Sequence, residues 1–306
     1  MEKANRDNTV IIMAATGGFS YDGFCSEGYQ VFSAYRPVSI AGRILREICF
    51  STPFLPKTTW YNKAILQVEP LYIIVRDAII TKAYLKWLQR QFPNAQINFM
   101  YENMVGNARH LYPNQIPNGI RVWTYDSYDS NKYGLRLKKT SAYFPHFVKT
   151  PQKKQYDLLF IGRDKGRGEN LLALERKLNA CEVRTKFVIT ADGKYAKKKP
   201  YYEKKVPYET ITEWLAQSRA VLNVTMENQR GITLRDLESL FNRIKLVTTN
   251  DAIVQADFYN KNNVFVLRED NWDKLPDFLN GQYDESVKID DDLHSVDAMI
   301  QEMTVS

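Results

Sequence analysis

The chain has 306 residues, 44% hydrophobic, 13% aromatic and 25% charged, which suits a globular protein of one large or two medium domains. Fourteen glycines and twelve prolines exclude a low-complexity chain, and three separated cysteines (Cys25, Cys49, Cys181) without a CxxC exclude a disulfide scaffold and fit a reducing cytosol. Apolar runs such as 71–75 and 220–224 fall far below the ~20 residues of a membrane-spanning helix, three scattered histidines form no zinc cluster, and 9–15 is too short for a signal peptide.

In chain order, the β-branched run 9–15 followed by Gly17 and Gly18 predicts a buried strand opening into a loop. Residues 30–49 carry Ile40, Ile44, Leu45 and Ile48 at helical spacing, with Pro37 expected to begin that helix. A second strand is predicted over 71–75, then a helix over 81–91 capped by Thr81 and ended by Pro93, then strands over 97–101 and 120–125. After the polar stretch 150–155 the alternation restarts. Strands are predicted at 156–161, 184–189, 220–224, 245–248 and 264–267, and helices at 170–178, 211–218 and 234–241. A final helix is expected to run to Met303 with Asp290, Asp291 and Asp292 at its positive end, where capping outweighs metal binding. Alternating strands and helices imply parallel sheets covered on both faces. The fold expected is therefore α/β, two Rossmann-like domains facing across a cleft. The N-terminal one spans 1–150, the C-terminal one 151–280, and the segment 281–306 is expected to pack back on the N-terminal domain.

Charge follows the same division. Residues 1–150 hold 18 Lys/Arg against 10 Asp/Glu, residues 151–306 hold 24 against 25, and 281–306 alone hold seven acids and one lysine. A basic half suits nucleic acid, an anionic membrane face or a phosphorylated small molecule. The densest run (Lys194, Lys197, Lys198, Lys199, Lys204, Lys205, interleaved with Tyr195, Tyr201 and Tyr202) reads as a phosphate or headgroup patch, or, with more weight, as a solvated loop.

Two strand-to-helix turns could hold an anion. The first, GRDKGRG at 162–168, offers Gly162, Arg163 and Lys165, with neither the P-loop ending nor the dinucleotide spacing. In the second, at 223–238, free N–H groups from Gly231 through Thr233 to Leu234 and the helix dipole suit a diphosphate, and Arg235 adds a bidentate contact. Gln229 lies in the loop before them, and Glu238 has the geometry to accept ribose hydroxyls. The bland alternative is a capping Thr233 and a surface Arg235–Glu238 pair worth ~0.3 kcal/mol. Acids at the strand ends of the first half are candidate general bases: Asp22, with an Asx turn as its alternative, and Asp77, with an Arg76 pair as its alternative. His110 is a weaker candidate. Asp126 and Asp129 are expected to shape the interdomain edge, and Trp60, Tyr61, Tyr101, Trp123, Tyr125 and Tyr128 to be packing more than sugar platforms.

The stretch QRGITLRDLE at 229–238, followed by KLVTTN at 245–250 and DFYN at 257–260, resembles the C-terminal half of bacterial capsule and lipopolysaccharide biosynthesis glycosyltransferases of the GT-B type. VWTYDSYDSNKYGL at 122–135 and YDLLFIG at 156–162 are similar to the same family in matching order. The resemblance covers roughly 69–270, is strongest over 220–268 and is thin over 1–68. It implies a nucleotide-sugar donor held by the C-terminal domain, with Glu238 at the position that meets the ribose, and a saccharide or lipid-linked acceptor held by the other. It also implies metal-independent transfer with no cofactor beyond the co-substrate. Arg230 departs from the smaller residue expected there. Peripheral contact with an anionic membrane, on the inner face of the cytoplasmic membrane, is compatible with this reading. The alternatives are a nucleotide-sugar epimerase of similar architecture and a nucleic-acid-binding protein. The second is disfavoured because the basic residues are dispersed and no recognition motif is present.

Overall fold

The computed structural model describes residues 2–14, 16–52, 54–77, 79–106, 111–193 and 196–305. His110, Lys194 and Tyr195, singled out above, lie outside the described residues. The first elements are β1 (Thr9–Met13), α1 (Phe19–Ser26), β2 (Gln30–Ser33), α2 (Ile40–Ser51), β3 (Tyr72–Arg76) and α3 (Lys82–Gln91). They are followed by β4 (Gln96–Tyr101), β5 (Arg121–Thr124), α4 (Ser127–Tyr133) and β6 (Arg136–Leu137). Next come β7 (Tyr156–Arg163), α5 (Gly168–Ala180), β8 (Thr185–Thr190), α6 (Tyr208–Ala216), β9 (Ser218–Asn223) and α7 (Leu234–Phe241). The chain closes with β10 (Lys245–Thr248), β11 (Val264–Val266), α8 (Leu275–Asn280), α9 (Asp291–His294) and α10 (Val296–Thr304).

Two compact units result. The first comprises Met1–Ala142 with Asp291–Ser306, and the second Tyr143–Asp290, so the division falls at 142/143 and 290/291 where the sequence suggested 150 and 280. Both sheets are wholly parallel, in the orders β2-β1-β3-β4-β5-β6 and β11-β10-β9-β7-β8. Each therefore reverses its winding once, between β1 and β3 in the first and between β7 and β9 in the second. Such reversal points are where open α/β sheets hold ligands at their carboxyl ends.

The β-branched runs of β1 and β3 form the middle of the first sheet because a parallel strand covered on both faces needs apolar side chains on both. An aromatic cluster of Tyr35, Tyr61, Tyr84 and Trp87 fills one face, with Tyr61 edge-on to Tyr84 at 4.9 Å. Tyr61, Tyr101 and Trp123 are thus packing residues. In the second unit Leu158, Phe160, Leu171, Ala220 and Leu275 pack on one face of the sheet, and Leu159, Leu215, Val221, Leu240 and Ile253 on the other.

Two local expectations are corrected. The helix expected to begin at Pro37 begins at Ile40, because the Ser39 side chain accepts the Gly42 amide at 3.2 Å and 30–33 are spent on strand β2. The terminal helix is broken at Ser295, which caps α10 by accepting the Ala298 amide at 3.1 Å, so Asp291 and Asp292 lie only in the first turn of short α9. Asp126 and Asp129 both make bonds within the first unit. Asp126 caps α4 through the Tyr128 amide at 2.9 Å, and buried Asp129 accepts the Val105 amide at 2.7 Å. α10 is tied to its unit by Glu302, which accepts the Lys139 and Thr140 amides at 2.8 and 2.9 Å, and by Asp297, which accepts the Tyr29 hydroxyl at 2.6 Å.

Candidate functional site

The two candidate anion-binding turns named from sequence, 162–168 and 223–238, lie at and beyond the ends of β7 and β9. They flank the winding reversal of the second sheet.

The first turn is held by a residue that sequence reasoning passed over. Asp164 is buried and accepts the Gly168 amide at 2.7 Å, Lys199 Nζ at 2.8 Å, the Tyr202 hydroxyl at 2.6 Å and the Tyr201 hydroxyl at 3.1 Å. Burial works to raise its pKa, but these four donors win and hold the carboxyl well below the usual range. Lys199, Tyr201 and Tyr202 of the basic run thus brace the turn. Gly168 is needed for that brace, since a Cβ there would lie 2.6 Å from the Tyr201 hydroxyl oxygen. Gly162 leaves room for Arg167, whose Nη2 would lie 3.4 Å from an added Cβ. Arg163 is exposed at the end of β7. Lys165 is exposed and left-handed at φ 46°, with its amide donated to Asp192 at 2.8 Å. Partial burial and the charges of Arg167 and Arg163 lower the Lys165 pKa.

The second turn is tied to the end of β10. Asn250 is buried and donates to the Arg230 carbonyl at 3.2 Å, and the Thr249 hydroxyl accepts the Thr225 amide at 2.9 Å. Gln229 is half-buried and accepts the Met226 amide at 3.2 Å, Gly231 is buried, and Leu234 opens α7 half-buried. Thr233 caps α7. Its amide, expected to face a diphosphate, is instead donated to Asp236 Oδ2 at 2.7 Å. Asn223, the last residue of β9, donates to Thr233 Oγ1 at 3.0 Å and to Asp236 Oδ1 at 2.8 Å. Burial pushes the Asp236 carboxyl up to about 6.

Arg235 and Glu238 do pair, but not at the surface. Glu238 is fully buried, with one carboxylate oxygen taken by Arg235 Nη1 and the other by the Tyr208 hydroxyl at 2.7 Å. Tyr143 and Tyr208 hydroxyls lie 3.2 Å apart, so with Tyr208 donating to Glu238 the Tyr143 proton points to Tyr208. Burial raises the pKa of both phenols. In this arrangement Glu238 orients Arg235, and a ribose hydroxyl would reach the carboxylate only once Arg235 turned away.

Arg167 is the N-cap residue of α5 and Arg235 lies in the first turn of α7. Burial is the main cause of the lowered pKa of Arg235, and the Arg167 charge adds to it. Burial likewise lowers that of Arg167, against the pull of Asp164 and Asp192. The Arg167 guanidinium carbon lies 5.4 Å from the centre of the Phe160 ring, and its buried Nε has no hydrogen-bond partner among the described residues. On the α5 side, a cavity of ≈ 630 Å³ opens past the ends of β10 and β11, with Asn170, Lys177, Thr249, Arg268 and Trp272 in its walls.

In the first unit, Asp22 and Asp77 follow β1 and β3 and so flank the other winding reversal. Asp22 is exposed in the first turn of α1, where one oxygen accepts the Gly18 amide at 3.1 Å. Asp77 is buried, and Arg76 beside it is ion-paired with Glu102. Burial pulls the Arg76 pKa down to about 9. Among the described residues no cluster of three or more His, Cys, Asp or Glu is placed to hold a metal ion. A cavity of ≈ 950 Å³ in this unit lies at the β5–β6 edge rather than at the reversal.

Two parallel sheets, each wound as a Rossmann-like unit, give the chain the GT-B fold class. No protein-family model matches the chain, and no curated protein sequence does. Among solved structures it is similar to a sucrose-phosphate synthase from Thermosynechococcus elongatus, over 96% of each chain at 11% identity and a TM-score of 0.59. A DNA-modifying β-glucosyltransferase, solved with and without uridine diphosphoglucose, aligns over 97% of this chain and 94% of its own at 12% identity and a TM-score of 0.49. An α1,3-fucosyltransferase aligns over 99% and 83% at 12% identity and a TM-score of 0.38.

Proposed function

We propose that the chain is a glycosyltransferase that moves a sugar from a nucleotide-diphosphate donor to a saccharide or lipid-linked saccharide acceptor in cell-surface polysaccharide synthesis. The observation that carries this reading is the placement of Arg167 and Arg235 at the starts of α5 and α7, the helices that follow the two turns at the winding reversal of the second sheet, with a buried N–H of the Arg167 guanidinium lacking an acceptor among the described residues. A buried guanidinium N–H without an acceptor is costly, and an anion bound there removes the cost. A diphosphate has the charge and the acceptor oxygens to do so, and the two arginines then stabilise it as leaving group. Donor entry exchanges the Arg235 bond from Glu238 to a phosphate oxygen and frees Glu238 for a ribose hydroxyl. In this reading the base enters the ≈ 630 Å³ cavity lined by Trp272 and by Lys177, whose Nζ lies 5.0 Å from the centre of that ring.

Among the first-unit acids, Asp22 is the stronger base candidate because it is exposed where Asp77 is buried. Cationic side chains, without metal or cofactor, carry the leaving-group chemistry in this reading, and turnover should survive a chelator. A lipid-linked acceptor places the protein in the cytoplasm, peripheral on the inner face of the membrane.

The test is a thermal-shift series with nucleoside diphosphates. A nucleotide at 100 times its dissociation constant stabilises by ~2.7 kcal/mol. Arg235→Ala and Arg167→Ala should each weaken nucleotide binding by ~2–4 kcal/mol, and binding indifferent to both ends the diphosphate assignment. Asp22→Asn should abolish transfer with nucleotide binding intact; an active variant removes Asp22 as base.

A further inference from the structure

Helix α2 inverts the usual arrangement of a surface helix. Of its 12 residues only Cys49 is buried, while Ile40, Ile44, Leu45 and Ile48 are 72%, 59%, 58% and 53% exposed. Ile40, Ile44 and Ile48 stand four residues apart and so line one stripe, with Leu45 beside Ile48. Shortly after the helix Phe54 is 93% exposed, and Leu55 is exposed as well. Single exposed apolar side chains are ordinary, but six within the 16 residues 40–55 are not.

The charges around this face indicate what covers it. Residues 36–63 contain Arg36, Arg43, Arg46, Lys57 and Lys63, with Glu47 as their one acid. Arg36, Arg43 and Lys63 are exposed. Arg36 is supported by Trp60, with its guanidinium carbon 5.1 Å from the ring centre. Apolar side chains rimmed by cations suit an interface that is oily within and negative at its edge. The helix is too short to cross a bilayer, and no helix among the described residues is long and apolar enough to do so. It has the character of a helix that lies in the interface plane.

We infer that α2, with Phe54 and Leu55, is an interfacial docking face that seats the first unit on an anionic lipid bilayer. Ile40, Ile44, Leu45, Ile48 and Phe54 enter the acyl boundary, and Arg36, Arg43 and Lys63 meet the headgroups. The inference names the surface for the peripheral placement proposed above and does not depend on sugar transfer, since docking requires no donor.

Sedimentation with phosphatidylcholine vesicles, with and without phosphatidylglycerol, tests it. The protein should bind the anionic vesicles, and less so at high salt, where exposed charges are screened. Ile44→Ser/Ile48→Ser/Phe54→Ser, all at exposed positions, should weaken vesicle binding about tenfold or more. Arg36→Gln/Arg43→Gln should weaken it on anionic vesicles alone. Both variants should keep the wild-type melting temperature and nucleoside-diphosphate shift, which separates loss of docking from loss of the donor site. Failure of the wild type to bind anionic vesicles at low salt would overturn the inference. So would undiminished binding by the triple variant, or a wild-type dimer in light scattering that the triple variant dissolves, which would assign the face to a second copy.

Discussion

Asp236 and Asp164 brace the two turns at the same sheet reversal, yet their environments push their titration in opposite directions. Burial raises Asp236 from 3.8 to about 6, so between those values the folded state holds a proton that the unfolded chain has lost. Stability therefore falls as pH rises through that window, by about 3 kcal/mol. Asp164 is depressed, so its contribution is present above the unfolded carboxylate value and fades on acidification. Asp236→Asn should remove the first effect and leave the second. Comparing chemical melts of variant and wild type, the stability difference should grow from pH 4 to pH 6 in favour of the variant; a flat difference would mean that Asp236 titrates normally. The charged Asp236 also sits one residue from Arg235, so above pH 6 it opposes the anion proposed for that arginine. Nucleotide binding by the wild type should accordingly be tighter near pH 5 than near pH 7 relative to the Asn variant.

At the scale of elements, the 162–168 turn and the start of α5 owe their shape to Asp164 more than to their glycines. Replacing it by Ala leaves the Gly168 amide, two phenols and a lysine without their shared acceptor, at a cost of about 3 kcal/mol. Hydrogen exchange should then speed up over 162–168 and 199–202 together while α7 stays protected. Exchange confined to one segment would show that they are not coupled. None of this could be read in advance, because Asp164 and its phenol partners are separated by some 37 residues and no local pattern joins them. Where a signal is local, it was legible. α7 was read residue for residue from a Thr cap and an amphipathic run, and α3 from Thr81 and Pro93. α1 was missed because its cap is Gly18, without a side-chain bond, and its pattern is interrupted by Gly23. α2 shows the limit of periodicity itself. The spacing of Ile40, Ile44 and Ile48 says that they share a face, and nothing in the spacing says whether that face meets the core or the outside.

At the scale of the molecule, the first unit is discontinuous in sequence, and its last 16 residues return after the whole second unit has been made. The acidic tail is therefore a structural part of the basic half. Ile300 and Met303 are fully buried there, Gln96 donates to the Met303 carbonyl at 3.4 Å, and the Ser141 amide donates to the Leu293 carbonyl at 2.7 Å. Loss of a single buried Ile or Met side chain costs ~2–5 kcal/mol, and deletion of the segment removes two together with the Glu302 bonds that hold 139–140. Lys138, which burial pulls down to about 8, would lose the Glu302 charge that works against that fall in the same step. A chain ending at Asp290 should thus lose the thermal transition of the first unit, or show it far below its wild-type temperature. The second unit depends on none of these contacts. Its transition should persist and should still rise with a nucleoside diphosphate, because Arg167, Asp164, Arg235 and Asp236 all lie within 143–290. Calorimetry of the truncated chain with and without nucleotide separates the two outcomes. Two undisturbed transitions would show that the tail contributes nothing to the first unit, and a single collapsed one would show that the second unit cannot stand without it.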